Sequence, residues 1–315
     1  MNMRTLIKRL VSFLPLKMQH LLRSKLAIRR RRERTSRKNR TVVAVADILK
    51  SLAACRLDGD LMIHSSVSNI GKLDKSVSDF VSAWLQQIDL NHQTVIVPAL
   101  PFNTTMHEYL ASCTSFDVRT ARNAMGAISS HISKLPGARR SIHPTHSVVA
   151  IGANAEHYVS GHELGETPFG TNSPYSKLTE RRGKIVMFGV GLNSVTCFHV
   201  YEDMMGDHMP MNVYLKQRFQ VPCVDASGNH LLVTTTCHDP SVSANRECER
   251  ARVELVKSGA IVSCQLGDSE LSVVDARLFT ITLLKMLIDG KSIYGPVALD
   301  PDQRSRVSEC LELLS

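Results

Sequence analysis

No Cys-x-x-Cys pair occurs in the 315 residues, although there are eight cysteines. Structural zinc normally uses that paired spacing, and a disulfide framework belongs to short secreted chains, so neither organises this chain. Reduced, mostly buried thiols fit better and point to a reducing, cytoplasmic setting. No apolar run approaches the roughly 20 residues that span a bilayer. The chain starts basic, but Lys8, Arg9 and Lys17 interrupt its apolar positions and no small-residue cleavage site follows, which argues against a secretory signal. Beyond residue 40 there is no internal repeat and no low-complexity tract.

Acidic residues are nearly missing from residues 1–40, where 14 Lys and Arg meet only Glu33, for a net +13. Of the chain's 38 basic and 29 acidic residues, 24 and 28 remain for the body, a net −4. A mildly acidic body does not support a nucleic-acid-binding core. The segment also has a helical apolar stripe, Met3, Leu6, Ile7, Leu10, Leu14, Met18, Leu21, Leu22 and Leu26, with Pro15 in its middle and the base-rich run Arg29–Arg40 after it. The expectation is an amphipathic basic helix and linker over 1–40, suited to peripheral contact with an anionic membrane on its inner face. An arm packed on the body or on another subunit, and a solvated tail, are the competing readings.

A second unit is expected over 41–315. Helical patterns at 42–55, 76–88, 123–135, 243–258 and 272–287 alternate with apolar, β-branched runs at Asp60–Ile63, Thr94–Pro98, Val148–Ile151, Lys184–Phe188, 228–237 and Ile261–Leu266. Strands alternating with helices predict an α/β layered sandwich around a central sheet.

Three clusters follow predicted strands or precede them. The stretch His64-Ser-Ser-Val-Ser-Asn-Ile-Gly71 sets small hydroxyl residues at a strand exit, where backbone N–H groups and hydroxyls can approach a phosphate. An ordinary helix-capping loop looks the same. Arg139-Arg-Ser-Ile-His-Pro-Thr-His-Ser147 concentrates bases and histidines before a strand, as a ligand site or a polar surface loop would. Gly189-Val-Gly-Leu-Asn-Ser194 lacks the third glycine of a dinucleotide fingerprint. It leads into Thr196-Cys-Phe-His199 and Glu202, where i,i+3 spacing sets a carboxylate beside an imidazole. Such a histidine can deprotonate an amine attacking a thioester, and a purely structural His–Glu bond is the plainer alternative.

Together these clusters resemble the aminoglycoside 3-N-acetyltransferase family. The correspondence runs through Leu61–Gly71, Phe116-Asp117, Met125-Gly126-Ala127, Pro136–Pro144, Ser147–Gly152, Gly170–Leu178, Thr196–His199 with Glu202, and Gly259–Asp268. The resemblance implies a mixed sheet, acetyl-CoA as cosubstrate without a metal, and an aminosugar-type acceptor, either an aminoglycoside or a polysaccharide precursor. An oligomer is compatible with it. It makes His199 the general base, Glu202 its supporting carboxylate and Thr196 a neighbour of the thioester. Ser65, Ser66, Val67, Gly71, Arg140 and Ser141 become coenzyme contacts, and Asn193 and His143 acceptor contacts. Resistance enzymes of the family usually carry Asp where Asn193 stands, which weakens the expectation of a polycationic acceptor.

Two other classes compete. A metal-dependent hydrolase would draw ligands from His64, His143, His146, His199 and Asp117 or Asp203, but no recognised ligand spacing joins them. A non-catalytic, membrane-associated relative would have no need of an intact His199–Glu202 pair.

Overall fold

The computed structural model describes residues 41–315, so the basic amphipathic segment expected over 1–40 lies outside the described residues. The strands that position the site are β1 (Leu61–Ser65), β2 (Thr94–Pro98), β3 (Phe116–Asp117), β4 (Arg139–Arg140), β5 (Val148–Gly152), β6 (Lys184–Phe188), β7 (Phe219–Val224), β8 (His230–Thr235), β9 (Ile261–Leu266) and β10 (Ser269–Asp275). The main helices are α1 (Val45–Ala54), α2 (Val77–Leu85), α3 (Ala127–Ile132), α4 (Pro174–Glu180), α5 (Val200–Met205), α6 (Ala276–Ile288) and α7 (Pro301–Leu313).

Seven strands form one mixed sheet in the order β9-β10-β6-β1-β2-β5-β4. The central trio β6, β1 and β2 is parallel, and both flanks are antiparallel. Strand side chains alternate between faces, and both faces are covered, which explains the continuous apolar runs. Met62, Ile96, Ile185 and Met187 pack with Phe279, Leu283 and Leu287 of α6 and Tyr175 and Leu178 of α4. Leu61, Ile63, Val95, Val97, Val186 and Phe188 pack on the other face with Ile48, Phe80, Trp84 and Ile128. A small sheet, β8-β7-β3, closes a third apolar cluster around Phe116, Val221 and Val233. The expected sandwich is therefore present, with the small sheet as an addition.

Three local expectations change. The helix expected over 272–287 begins only at Ala276, because Ser269–Asp275 pairs with both β9 and β6. Gly267 makes the β9–β10 turn possible: its φ is +54°, and a Cβ there would lie 2.3 Å from the Ile70 carbonyl oxygen. The helix expected over 243–258 is broken into Pro240–Ser243, a tight turn at Cys248–Ala251 and Arg252–Lys257. Finally, α7 follows α6, started by Pro301 and a reciprocal Asp300–Gln303 cap.

Candidate active site

The parallel strands β1, β2 and β6 all end on one side of the sheet. A cleft of about 610 Å³ opens there, lined by Ser65–Asn69, Pro98, Ala124–Ala127, Val190, Gly191 and Ser194 as well as His64. Ligands of open α/β sheets bind in this position, outside the carboxyl ends of parallel strands. Gly189 lets the two strand exits meet: its φ is +69°, and a Cβ would come 2.7 Å from the Ser66 carbonyl oxygen. The Asn69 side-chain amide donates to the Gly189 carbonyl at 2.8 Å and ties the walls together. Within the cleft, His64 Nε2 is buried without a hydrogen-bond partner among the described residues. Burial pushes the pKa of this imidazole down to about 4, so it stays neutral. Small residues along the walls and an unsatisfied polar atom suit a slender polar chain such as a pantetheine arm.

The cleft wall ends at Ser194, and the chain continues as a tight turn, Thr196–His199, running into α5. Thr196 Oγ1 is also buried without a partner among the described residues. His199 Nδ1 lies 2.8 Å from Glu202 Oε2, as the i,i+3 spacing predicts. Glu202 is 1% exposed, a cost that an unpaired carboxylate could not sustain. Its charge is met by three donors: the His199 Nδ1–H, the His238 Nε2–H at 3.1 Å and the Tyr294 hydroxyl on Oε1 at 2.8 Å. Burial alone would raise the Glu202 pKa, but His199 and His238 hold it far below the usual carboxylate range. Burial pushes the His199 pKa down to about 3; His238 pushes the same way and Glu202 opposes. The imidazole is neutral, with its lone pair on Nε2. Arg246 donates to that nitrogen from Nη1 at 2.9 Å.

Asp203, next along α5, accepts from the Thr167 and Tyr214 hydroxyls. Burial raises its pKa to about 7. The rings of Phe169 and His238 flank His199 at 4.7 and 4.1 Å between centroids.

Three expected contacts are committed to the fold. The Arg140 guanidinium donates to the carbonyls of Ala99, Ala121 and Arg122 and to Ser147, and lies 5.2 Å from the centre of the Phe116 ring. It also borders a different cavity, of about 930 Å³, with Arg119, Lys134 and Arg139, whose lining shares no residue with the cleft at the Ser65 loop. Ser141 is fully buried, bonded to His162 Nδ1 and to the Val148 N–H. His143 is fully buried too: its Nδ1 accepts from the backbone of Thr145 and His146, and its Nε2–H donates to Thr235. Ser141 and His143 are closed to a ligand, while Arg140 is held by these bonds with part of its surface on that cavity. Asn193 Oδ1 accepts the Cys248 N–H at 3.2 Å, which anchors the loop carrying Arg246.

The ligand set expected of a hydrolase is not assembled either, since Asp117 pairs with Arg119 and His143 is occupied as described. A different trio, His199, Glu202 and His238, has its donor atoms within 4.8 Å of one another. Both imidazole N–H groups point at the carboxylate, so the trio is closed by its own hydrogen bonds. Sequence reading missed His238, Tyr294 and Arg246, which come from distant loops and carry no local spacing signal.

The family model for aminoglycoside 3-N-acetyltransferases matches residues 62–287. The chain belongs to this family. An aminoglycoside N(3)-acetyltransferase III from Salmonella sp is 30% identical over 174 residues, which is 51% of this chain and 60% of that protein. The chain thus spans less than two thirds of that relative's length. The solved aminoglycoside acetyltransferase AAC(3)-Xa shares the fold at a TM-score of 0.65 and 21% identity, covering 79% of this chain and 94% of that one. AAC-IIIb, solved as a binary complex with CoASH, gives a TM-score of 0.65 at 23% identity and covers 81% and 100%. Members of the family are N-acetyltransferases.

Proposed function

We propose that this chain transfers the acetyl group of acetyl-CoA to an amino group of an aminosugar, either an aminoglycoside or a polysaccharide precursor, with His199 as general base. The observation that carries the reading is the buried His199–Glu202 hydrogen bond of 2.8 Å, which leaves Nε2 as the basic nitrogen of a neutral imidazole. Membership of the family supports the reaction class, and the CoASH complex of AAC-IIIb supports the cosubstrate. The residues fit that group: Ser65, Ser66 and Val67 line the cleft at the strand ends, whereas Gly71, expected beside them, is buried against Thr41 and Val43 and does not line it.

Acetyl-CoA supplies an activated acyl carbon. The acceptor nitrogen bonds to that carbon, the carbon–sulfur bond breaks, and CoA leaves with the electron pair. His199 Nε2 removes the proton that the nitrogen must lose and returns it to the departing sulfur. A nitrogen that has begun to form the amide is far more acidic than a free ammonium, so a depressed histidine can still accept from it. Glu202 fixes the tautomer and stabilises the imidazolium as it forms, and His238 and Tyr294 hold Glu202. Thr196, with a buried hydroxyl oriented by the same turn, stands as the residue beside the thioester.

Thiol release from acetyl-CoA tests the reading, run over a panel of monoamino sugars and aminoglycosides and confirmed by a product mass increase of one acetyl group. Acceptor-dependent thiol release is expected; its absence across the panel refutes the proposal. Among the described residues no helix is long and apolar enough to cross a membrane. The net +13 of residues 1–40 supports peripheral contact with an anionic surface, which co-sedimentation with anionic liposomes checks.

A further inference from the structure

The nitrogen that must receive the acceptor's proton is already occupied. A guanidinium can only donate hydrogen bonds, so Arg246 Nη1, 2.9 Å from His199 Nε2, covers the base's lone pair. For the base to work, Arg246 has to leave. Its backbone is fixed on both sides: Arg246 N–H bonds to the Ser243 carbonyl, Glu247 N–H to the Ile293 carbonyl and Cys248 N–H to Asn193. The side chain is half-buried and, among the described residues, makes no ion pair. Release is therefore a side-chain rotation on a held loop.

The surrounding charge says what would draw it away. Glu202, the carboxylate that supports His199, takes its hydrogen bonds from His199, His238 and Tyr294. Asp203 is tied to Thr167 and Tyr214. A polycationic acceptor offers the guanidinium no partner of its own, whereas an acceptor bearing a phosphate or carboxylate offers Arg246 a stronger partner than a neutral imidazole.

We propose that Arg246 is a displaceable cap on His199 and the residue that selects the acceptor: the anionic group of an acidic aminosugar takes the guanidinium and so frees the base for the amine of the same molecule. This rests on His199 acting as base and narrows the acceptor to aminosugars carrying an anion within about one sugar ring of the reacting amine. It makes proton removal dependent on the acceptor's arrival, because only an acceptor that engages Arg246 uncovers Nε2. Arg246 positions and selects; it forms no bond with the reacting atoms.

The test compares glucosamine with glucosamine 6-phosphate and with muramic acid, which separates phosphate from carboxylate as the source of the anion. Both kcat/KM and calorimetric affinity on the CoA-saturated protein are measured, so that slow turnover does not hide a binding preference. Wild type is expected to favour at least one anionic sugar over glucosamine by about 10–100-fold, the size of a charge-assisted contact. Arg246→Ala is expected to bring that ratio close to one, lowering kcat/KM for the anionic sugar while raising it for glucosamine. Arg246→Lys, keeping the charge without the planar fork, should restore part of the preference. Wild type that binds and acetylates glucosamine as well as both anions overturns the proposal. So does Arg246→Ala that lowers all three alike. His199→Ala separates the two levels: if it abolishes turnover of every acceptor while the Arg246→Ala ratio stays at the wild-type value, the Arg246 proposal alone fails. If His199→Ala keeps its turnover, the base reading itself fails.

Discussion

His199 Nδ1 and Glu202 Oε2 stand 2.8 Å apart on consecutive turns, and the carboxylate they share with His238 is almost completely shielded from water. A charge so enclosed persists only because every lone pair it needs is met. Two imidazoles and a phenol meet them here, and each depends on the others to stay in place.

Glu202→Gln keeps the shape but removes the charge and turns one acceptor into a donor facing an N–H. kcat is expected to fall about 10²–10³-fold, with a smaller change in KM, since the tautomer and the imidazolium lose their support. Tyr294→Phe removes one of three donors and should cost about tenfold or less. Steady-state kinetics on both variants, with a thermal melt to verify folding, decide it; Glu202→Gln with wild-type kcat would leave the carboxylate a structural role only.

Arg140→Ala is expected to act on stability. The carbonyls of Ala121 and Arg122 and the Ser147 hydroxyl lose the Arg140 donor, and the Ala99 carbonyl keeps only that of Ser147, at a site where burial already lowers the Arg140 pKa to about 10. A loss of about 2–4 kcal/mol is expected, since buried acceptors are left unmet. CoA affinity should change less than about threefold. Thermal unfolding and calorimetry measure the two quantities; weaker CoA binding at unchanged stability would return Arg140 to the coenzyme.

Several buried imidazoles make the protein sensitive to mild acid. Burial lowers the pKa of His64 to about 4 and of His162 and His199 to about 3, and pushes His143 and His146 well below 6.5. In the unfolded chain they titrate near 6.5, so below that pH the unfolded state binds more protons. Their contribution is complete above about pH 6.5 and is lost as pH falls through 6.5 toward 4. Asp203, raised to about 7, works in the opposite direction but is one group against five. The melting temperature should fall steadily from pH 6.5 to pH 5. A flat or rising Tm over that interval contradicts this account.

Asn193→Asp preserves the acceptor for the Cys248 N–H and adds a negative charge at the loop that carries Arg246. The ratio of kcat/KM for sisomicin to that for glucosamine is expected to rise several-fold, through Coulomb attraction for a polycation. An unchanged ratio would place acceptor charge selection away from this position.

What the sequence made legible was local. β-branched runs such as Thr94–Pro98 and Lys184–Phe188 show the central strands, because a strand buried on both faces must be apolar throughout. His199 and Glu202 are legible because a turn brings i and i+3 together without help from the rest of the chain. His238, Arg246 and Tyr294 are not, since they reach Glu202 or His199 from 36, 47 and 92 residues away. Arg140 illustrates the opposite difficulty. A base at a strand mouth suggests phosphate, yet the guanidinium is long enough to satisfy three backbone carbonyls on two neighbouring segments, and only the packed fold shows that it does. Ser269–Asp275 was hidden in the same way, its strand character coming from β6 and β9 on either side.

The most direct test of the account is His199→Ala, assayed for turnover and for CoA binding on the same preparation. Removing the base should lower kcat about 10²–10⁴-fold while the CoA dissociation constant stays within a few-fold of wild type, because the cleft at the strand ends is untouched. A variant that retains more than about a tenth of wild-type kcat would contradict the assignment of His199 as the general base.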